Sequence, residues 1–211
     1  RMARLVAENN LSPADLSDFQ STAQESTQII LRNLNRAIQL VRSFKLIAVD
    51  QTTEEHRVIE LGAYLNDILT SLGPVLKKSP HRVTVICPDS LRLNTFPGAL
   101  YQIVSNLVMN SLMHAFDPGQ AGAITIQATQ TGALVRLQYS DNGKGMSEEV
   151  RTQIFEPFFT TRRGQGGSGL GMHVVYNLVT QLLKGSIRVE SAPGAGAAFE
   201  IFLPMDAAAV A

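Results

Sequence analysis

The chain has 211 residues, with 18 basic and 18 acidic side chains, a formal net charge of zero and one cysteine, Cys87. This length suits one domain or two small ones around a sizeable core. The balanced charge excludes the broad basic surface of a nucleic-acid-binding protein, so any phosphate would be recognised locally. One cysteine cannot form an internal disulfide, and the sequence has no long apolar run for a membrane span or leader. We therefore expect a cytoplasmic setting.

The N-terminal part of the chain has the pattern of a long amphipathic helix. Residues 15–45 contain no Gly or Pro, and apolar residues recur in heptad spacing at Ile30, Leu34, Ala37, Val41 and Phe44. This seam predicts a helix packed in a bundle. The stretch 1–8 is interpreted as the end of a preceding antiparallel helix, which gives a partial helical hairpin over residues 1–50. Because the chain begins at Arg1 rather than Met, we expect it to be a piece of a longer protein.

After Asp50 the pattern changes to mixed strands and helices. It predicts strands at 57–61 and 82–87, helices at 64–76, 97–114 and 169–183, and hairpins around Thr131-Gly132 and Pro193-Gly194. The stretch 142–167 is rich in Gly and has no clear period. This order predicts an α+β fold, a two-layer α/β sandwich over residues 51–206, followed by a frayed tail at 207–211.

The predicted helix 97–114 carries a polar stripe. Asn106, Asn110 and His114 are four residues apart, so they share one face of a largely apolar helix. Asparagine is a mediocre helix former, which favours a site over a solvated face or a helix end, the two alternatives. Its amide oxygen is a hard neutral ligand of the kind that Mg²⁺ accepts when phosphates supply other ligands.

Asp141 is predicted to end a strand with its carboxylate on the buried side, because Val135, Leu137 and Tyr139 set the inward parity. A buried carboxylate needs a partner. The amino group of a purine is one candidate, and the glycines of segment 142–145 would let a flat ring approach. The alternative is a simple Asp-Asn-Gly turn, which is the commoner outcome for such a motif taken alone.

The Gly-rich segment 164–171 directly precedes the predicted helix 169–183, and Ser168 could cap that helix. Exposed backbone N–H groups and the helix dipole favour a phosphate at such a place, and Arg162 and Arg163 could reach the outer phosphates. The segment lacks the Lys-Ser or Lys-Thr of a P-loop, and no strand feeds it directly as in a dinucleotide fingerprint. A flexible linker is the alternative.

Three aromatic residues, Phe155, Phe158 and Phe159, precede that segment in a stretch bounded by Gly and Pro. Exposed phenylalanines need a surface to cover. We interpret the stretch as part of a lid, with the aromatic residues as an anchor that packs against the domain. A minor satellite core under a long loop is the alternative.

The order and spacing of these motifs resemble the bacterial sensor histidine kinases. The segments NLVMN (106–110), DNGKG (141–145), FEPFF (155–159), GSGLG (167–171) and GAG (194–196) leading to Pro204 resemble the family's asparagine box, phenylalanine box and three glycine boxes. The resemblance covers about residues 57–204. It implies the histidine-kinase-type ATPase (Bergerat) fold, shared more distantly with DNA gyrase, MutL proteins, the ninety-kilodalton heat-shock chaperone and anti-sigma-factor kinases. The preceding helix is similar to the second helix of the family's dimerisation and histidine-phosphotransfer domain.

The resemblance implies the following roles, residue by residue. Asn106 and Asn110 are the catalytic residues, with Asn110 holding Mg²⁺ and Asn106 at the metal–phosphate region. Asp141 accepts from the adenine amino group. The implied nucleotide-binding set is Asn106, Asn110, His114, Asp141, Gly143, Gly145, Met146, Phe155, Thr160, Thr161, Arg162, Arg163, Gly167, Ser168, Gly169, Leu170 and Gly171.

One position bears on the reaction that the resemblance implies, and two features depart from the family pattern. Hydrolysing relatives carry a Glu base four residues before the metal-binding Asn, where this chain has Asn106, which cannot act as a base. Many family members carry a basic residue shortly after the second Asn, where this chain has Met113. The phosphoacceptor of the family is a His followed by Glu or Asp and then Pro, and none of the four histidines fits: His56, His81, His114 and His173.

We therefore expect a histidine-kinase catalytic domain that binds ATP and Mg²⁺, with a partial dimerisation hairpin and no acceptor histidine in this chain. The expected partners are a response-regulator receiver domain and a second copy of the intact protein, with no nucleic acid, and with membrane contact only through parent segments outside this chain. The alternatives are an ATP-dependent conformational clamp, an anti-sigma-type serine kinase of the same superfamily, or a degenerate dimerisation module. The exposed heptad seam predicts that this chain self-associates or is partly disordered there.

Overall fold

The computed structural model of the chain describes residues 12–48, 56–161 and 169–206, and within the first helix it leaves the side chains of Arg32 and residues 35–48 undescribed. The chain divides into two compact units, Arg1–Arg42 and Ser43–Ala211, which are treated separately. The predicted helix end at 1–8, the tail at 207–211 and the seam side chains of Ala37, Val41 and Phe44 lie outside the described part.

Helix α1 spans Pro13–Ala48, which confirms the long helix predicted from the heptad pattern. Ser12 caps it: its Oγ accepts from the Asp15 amide at 3.2 Å, and the Asp15 carboxylate accepts from the Ser12 amide at 3.3 Å. This reciprocal arrangement is a capping box, and Pro13 supplies the preset φ of a first helical residue. The described seam residues Ile30 and Leu34 are 58% and 53% exposed.

The strands of the second unit are β1 Arg57–Glu60, β2 Arg82–Ile86, β3 Arg92–Thr95, β4 Ala123–Thr131, β5 Leu134–Asp141, β6 Ser186–Ser191 and β7 Ala197–Pro204. Five of them form a mixed sheet with the order β2-β4-β5-β7-β6. Strand β2 pairs with β4 in parallel, and the other three pairs are antiparallel. The two shorter strands β1 and β3 form a separate antiparallel pair.

Alternation along the strands gives the sheet one buried face. Ile126, Tyr139 and Phe199 lie side by side in one row across β4, β5 and β7. Asp141 belongs to the next row of the same face, between Ile124 and Ala197. The parity predicted for Asp141 is therefore confirmed.

The helices of this unit are α2 (Leu61–Ser71), α3 (Gly73–Leu76), α4 (Pro97–His114), α5 (Glu148–Gln153) and α6 (Gly171–Asn177), which continues as a π-helical turn, Leu178–Leu182. The apolar faces of α2, α4 and α6 bury against the inward face of the sheet in one core. Helix α4 supplies the largest share, with Ala99, Leu100, Ile103, Val104, Leu107 and Val108 all buried. The predicted two-layer α/β sandwich is confirmed.

Three local predictions differ from the structure. Strand β3 was not predicted, because Arg92–Thr95 has a single large apolar residue, Leu93. Helix α5 lies in a stretch predicted to have no regular element, where the Ser147 Oγ accepts from the Val150 amide at 3.4 Å and caps it. The helix predicted at 64–76 begins earlier, at Leu61, and is interrupted at Leu72, before a proline that cannot continue its hydrogen bonds.

Candidate functional site

The polar stripe on helix α4 lies next to the start of helix α6. Asn106, Asn110 and His114 are all half-buried on α4. A Cβ added to Gly171, the first residue of α6, would lie 3.3 Å from the Asn106 Oδ1. The absence of a side chain at Gly171 therefore lets the first turn of α6 approach the asparagine stripe, so the predicted asparagine and glycine boxes meet.

The last residue of the stripe contacts the end of the aromatic segment. His114 Nδ1 lies 3.5 Å from the hydroxyl oxygen of Thr161. Thr160 is half-buried next to it. The structure thus brings the C-terminal end of α4 and residues 160–161 together, as the implied nucleotide site requires.

Asp141 is buried, with 9% of its surface exposed. Its Oδ2 accepts from the Ser111 hydroxyl at 2.7 Å, and its Oδ1 accepts from the amides of Gly143 at 3.0 Å and Ala197 at 3.3 Å. The bond to Gly143 is the local Asp-Asn-Gly turn that was the alternative interpretation. Protein donors thus already stabilise the carboxylate, which does not depend on a ligand for its partners.

A buried tyrosine extends this network. The Tyr139 hydroxyl lies 2.8 Å from the Ser111 Oγ and 3.1 Å from the Leu107 carbonyl oxygen. Burial raises the pKa of Tyr139 well above its ordinary value, the Asp141 charge raises it further, and the hydrogen bond with Ser111 acts in the opposite direction. Tyr139 therefore remains a protonated donor over the neutral range.

The loop after Asp141 depends on glycine for close backbone contacts. A Cβ at Gly143 would overlap the Ala115 carbonyl oxygen, which also accepts from the Lys144 amide at 2.8 Å. Gly145 has a φ of +67°, and a Cβ there would overlap the Ala192 carbonyl oxygen. These contacts fix the loop between the end of α4 and the β6-β7 turn.

Met146 follows this loop and is held by the sheet. Its amide donates to the Ser191 Oγ at 2.9 Å, and that hydroxyl donates to the Gly196 carbonyl oxygen at 2.6 Å. The third glycine box therefore packs against the first. The sequence gives no direct sign of the Ser191 contact, because the two segments are far apart along the chain.

The aromatic segment packs on helix α6. The ring centroids of Phe155 and Tyr176 are 5.5 Å apart. The backbone carbonyl oxygen of Phe155 lies 3.0 Å from the His173 Nδ1. Phe158 is 52% exposed and has a φ of +66°. A Cβ at Gly169 would lie 2.5 Å from the Phe158 carbonyl carbon. One part of the segment is therefore an anchor, as predicted, and Phe158 remains an exposed aromatic side chain.

The remaining predicted residues fall into two groups. Leu170 is buried at 4% exposure, directly before α6. Arg162, Arg163, Gly167 and Ser168 lie outside the described residues.

Two histidines that were rejected as phosphoacceptors pack their rings against phenylalanines. The ring centroid of His56 is 3.8 Å from that of Phe96, and the centroid of His81 is 4.2 Å from that of Phe116. These contacts account for both rings as packing elements. The absence of an acceptor histidine from this chain stays a prediction.

The site contains functional candidates that the motifs did not indicate. Ser111 and Tyr139 bond to the predicted adenine-binding carboxylate or to each other, and His173 holds the aromatic segment. Ser111 is buried at 4% exposure, one helical turn after the buried apolar residues Leu107 and Val108 of α4. A polar residue on the apolar face of a predicted helix was the available signal.

The residues present fit a nucleotide with a divalent cation. The stripe offers two neutral amide oxygens, from Asn106 and Asn110, and the backbone of Gly171 approaches the first of them. Hard neutral oxygens suit Mg²⁺ when most of its other ligands are phosphate oxygens and water. The Asp141 carboxylate, which accepts from Ser111 of the same helix, offers an acceptor to an amino group.

The family model of the histidine kinase-, DNA gyrase B- and HSP90-like ATPases matches residues 96–207. This match contains α4, the loop after Asp141, the aromatic segment, α6 and the last hairpin. Among residues 12–48, 56–161 and 169–206, no helix is both long and apolar enough to cross a membrane.

Curated relatives match over most of the chain. The sensor histidine kinase ZraS of Escherichia coli (strain K12) is 29% identical over 185 residues, which is 87% of this chain and 38% of that protein. The alginate biosynthesis sensor protein KinB of Pseudomonas aeruginosa is 38% identical over 196 residues, which is 89% of this chain and 32% of that protein. The chain thus spans less than two fifths of the length of these relatives.

Solved structures share the fold. The catalytic domain of histidine kinase ThkA has a TM-score of 0.64 at 23% identity, covering 72% of this chain and 97% of that one. Full-length ShkA in complex with AMPPNP has a TM-score of 0.66 at 23% identity, covering 96% of this chain and 41% of that one. Both similarities support the two-layer sandwich described above.

Proposed function

The chain belongs to the family of histidine kinase-, DNA gyrase B- and HSP90-like ATPases and carries the ATP-binding catalytic domain of a sensor histidine kinase, and from this we propose that the intact protein transfers the γ-phosphoryl group of ATP to a histidine. The acceptor would lie on a dimerisation helix outside this chain. Residues 1–50 would then be part of the dimerisation hairpin, and residues 51–206 the catalytic domain. A response-regulator aspartate would receive the phosphoryl group next.

The observation that carries this proposal is the meeting of α4 and α6. Asn106 on α4 and Gly171 at the start of α6 are in contact range, while Asp141 lies at the end of β5 beside Ser111 of the same α4 helix. The same helix thus contacts the carboxylate proposed to bind the base and provides the asparagine side chains proposed to bind the phosphates. This is the arrangement expected for a nucleotide lying along α4.

In this proposal each residue has a limited task. Asp141 accepts from the adenine amino group, and Gly143 and Gly145, whose missing side chains let the loop pack on the Ala115 and Ala192 carbonyl oxygens, would flank the ring. Asn106 and Asn110 orient the triphosphate, with Asn110 as the ligand of Mg²⁺. When bound, Mg²⁺ supplies charge neutralisation at the phosphates.

Asn106 also bears on the type of reaction. A neutral amide has no basic lone pair with which to deprotonate water, so the chain lacks at this position the general base that hydrolysing relatives use. Positioning and electrostatic stabilisation are sufficient for transfer to a nucleophile that is already well placed. We therefore propose slow hydrolysis by this chain alone and faster transfer when an acceptor helix is supplied.

The experiment supplies the acceptor separately. A peptide with the acceptor-helix sequence from the parent protein is incubated with the 211-residue chain and ATP labelled at the γ position. The expected product is phosphohistidine, which is labile in acid and stable in base, and replacing the peptide's histidine with alanine should abolish it. Base-labile phosphoserine would support the serine-kinase alternative, and ATP-driven self-association without phosphorylation would support the conformational clamp.

A degenerate, non-catalytic module is the remaining alternative. It predicts no binding of ATP in the presence of Mg²⁺ by the unaltered chain. The presence of Asn110, Asp141 and the glycine boxes together argues against it, because the resemblance assigns all of these positions to nucleotide binding.

A further inference from the structure

The predicted adenine-binding carboxylate is held by side chains from two elements. Ser111 lies on α4 and Tyr139 on β5, and both are buried, at 4% and 1% exposure. A serine inside a helix ordinarily donates to the carbonyl group four residues earlier. Here the Ser111 hydroxyl instead donates out of the helix to the Asp141 Oδ2 at 2.7 Å.

The donors in this network have a fixed direction. The Asp141 carboxylate only accepts when ionised, so the Ser111 proton points to it, and the Ser111 oxygen is left to accept from Tyr139 at 2.8 Å. Tyr139 has one hydroxyl proton, and its oxygen lies closer to the Ser111 Oγ, at 2.8 Å, than to the Leu107 carbonyl oxygen, at 3.1 Å. With that proton donated to Ser111, the residues Tyr139, Ser111 and Asp141 form a one-way series of hydrogen bonds, in which each bond polarises the next.

The carboxylate has about four lone-pair positions. Protein donors fill three of them, from Gly143 and Ala197 on Oδ1 and from Ser111 on Oδ2. One acceptor position remains, on Oδ2. A purine with an amino group can fill it with an N–H donor, whereas a purine with a carbonyl group would place oxygen against oxygen.

We infer that Ser111, supported by Tyr139, is a positioning residue that fixes the orientation of the Asp141 carboxylate and so sets the preference for an amino-bearing purine. This inference rests on the proposed function, because it requires that Asp141 face the base. Ser111 acts on the ligand only through Asp141. Its contribution should therefore depend on the amino group and not on the phosphates.

The test compares two nucleotides that differ at this one group. ATP carries the 6-amino group, and purine riboside triphosphate lacks it. The full 211-residue chain with Mg²⁺ is titrated with each by calorimetry. For Ser111→Ala we expect ATP affinity to fall about tenfold and affinity for purine riboside triphosphate to stay nearly unchanged. The variant loses a hydrogen bond to a charged group, and that group, the Asp141 carboxylate, meets the amino group that only ATP carries.

Two features allow this test to distinguish a change in nucleotide recognition from a loss of folding. In Ser111→Ala the Tyr139 hydroxyl still has the Leu107 carbonyl oxygen as an acceptor at 3.1 Å, so no buried donor is left without a partner. The matched control is Ser105→Ala, on the same helix, whose hydroxyl donates only to the local Gln102 carbonyl oxygen at 3.2 Å. It should leave both affinities unchanged.

A second variant supports the direction of the network. Tyr139→Phe keeps the buried ring and removes the first donor, so we expect a smaller loss of about threefold for ATP and none for purine riboside triphosphate. Ser111→Thr retains the hydroxyl and should retain the preference for ATP.

The possible outcomes distinguish a failure of this inference from a failure of the proposed function. Equal losses for both nucleotides in Ser111→Ala, or no loss for ATP, would overturn this inference while leaving the proposed function intact. Failure of the unaltered chain to bind ATP at all would overturn the proposed function, and this inference with it.

Discussion

The ring nitrogen Nδ1 of His173 lies 3.0 Å from the carbonyl oxygen of Phe155 and joins helix α6 to the aromatic segment. The other ring nitrogen lies 3.0 Å from the Asn177 Nδ2, one helical turn further along. An amide nitrogen only donates, so Nε2 accepts, and the ring proton is on Nδ1, which donates to Phe155. Asn177 thus selects the tautomer that holds the start of the predicted lid.

We expect His173→Leu to weaken ATP binding about fivefold, because the Phe155 carbonyl loses a donor worth about 1 kcal/mol. The segment 155–161 would then be less firmly held against α6. Calorimetric titration with ATP and Mg²⁺ gives the affinity. His173→Gln, which offers a side-chain N–H, should recover part of it, and wild-type affinity in His173→Leu would show that this contact does not matter for binding.

The glycine loop gives a prediction on stability. Gly145 and Gly194 both have positive φ, +67° and +79°, but only at Gly145 would a Cβ overlap neighbouring backbone, whereas nothing lies within 4 Å of one at Gly194. We expect Gly194→Ala to lower the free energy of unfolding by about 1 kcal/mol through backbone strain alone. Gly145→Ala should cost about 2 kcal/mol more, because overlap adds to that strain. Urea denaturation of both variants measures the difference, and equal losses would contradict the packing described for Gly145.

Tyr139 gives a prediction on pH. Its pKa is raised in the folded state, chiefly by burial, so above the ordinary tyrosine pKa of about 10 the unfolded chain loses a proton that the folded chain keeps. By linkage, its contribution to stability is present below that pH and is lost as pH rises above it.

The measurement is the difference in unfolding free energy between the unaltered chain and Tyr139→Phe at about pH 8 and about pH 11. Comparing the two chains removes the effects of lysines and of the other tyrosines. The stability of the unaltered chain should fall more between these pH values than that of the variant. Parallel curves would mean that Tyr139 titrates normally in the fold.

Helix α1 gives a prediction on association. Ile30 and Leu34 are more than half exposed in the described structure, and an apolar seam in heptad spacing is stabilised by packing on another helix. We expect the chain to self-associate in solution, and the double variant Ile30→Asp with Leu34→Asp to shift it to monomer.

Light scattering after size-exclusion chromatography measures the mass of each form. The control places the same two charges on exposed polar positions of the same helix, Gln28→Asp with Asn33→Asp, and should leave the mass unchanged. A monomeric unaltered chain with an ordered α1 would contradict the predicted role of the seam.

Much of the fold could be predicted from periodicity. Helix α4 runs from Pro97 to His114 as predicted, because a proline marks its first turn and its apolar residues keep a helical period. The hairpins were predicted because alternation is strict in β4, β5 and β7. Strand β3 and helix α5 were not, since Arg92–Thr95 and Glu148–Gln153 are too short and too polar to show a period.

The candidate site, like the fold, could be predicted only in part from the sequence. The inward position of Asp141 follows from strand parity and was predicted. The contact of Asp141 with Ser111 could not be, because it depends on how α4 packs across β5, which local sequence does not specify. The Gly143 contact with Ala115 likewise depends on tertiary packing. Motif spacing thus indicates which residues matter, and the fold supplies their partners.

The nucleotide site is tested by the binding of ATP with Mg²⁺ to the 211-residue chain and to two single variants, measured by calorimetric titration. We predict binding in the micromolar range that is lost in Asp141→Asn, where the carboxylate acceptor becomes partly a donor, and in Asn110→Ala, where an amide ligand is removed. Ser105→Ala on the same helix should bind as the unaltered chain does. Unchanged affinity in both Asp141→Asn and Asn110→Ala would contradict the assignment of the site.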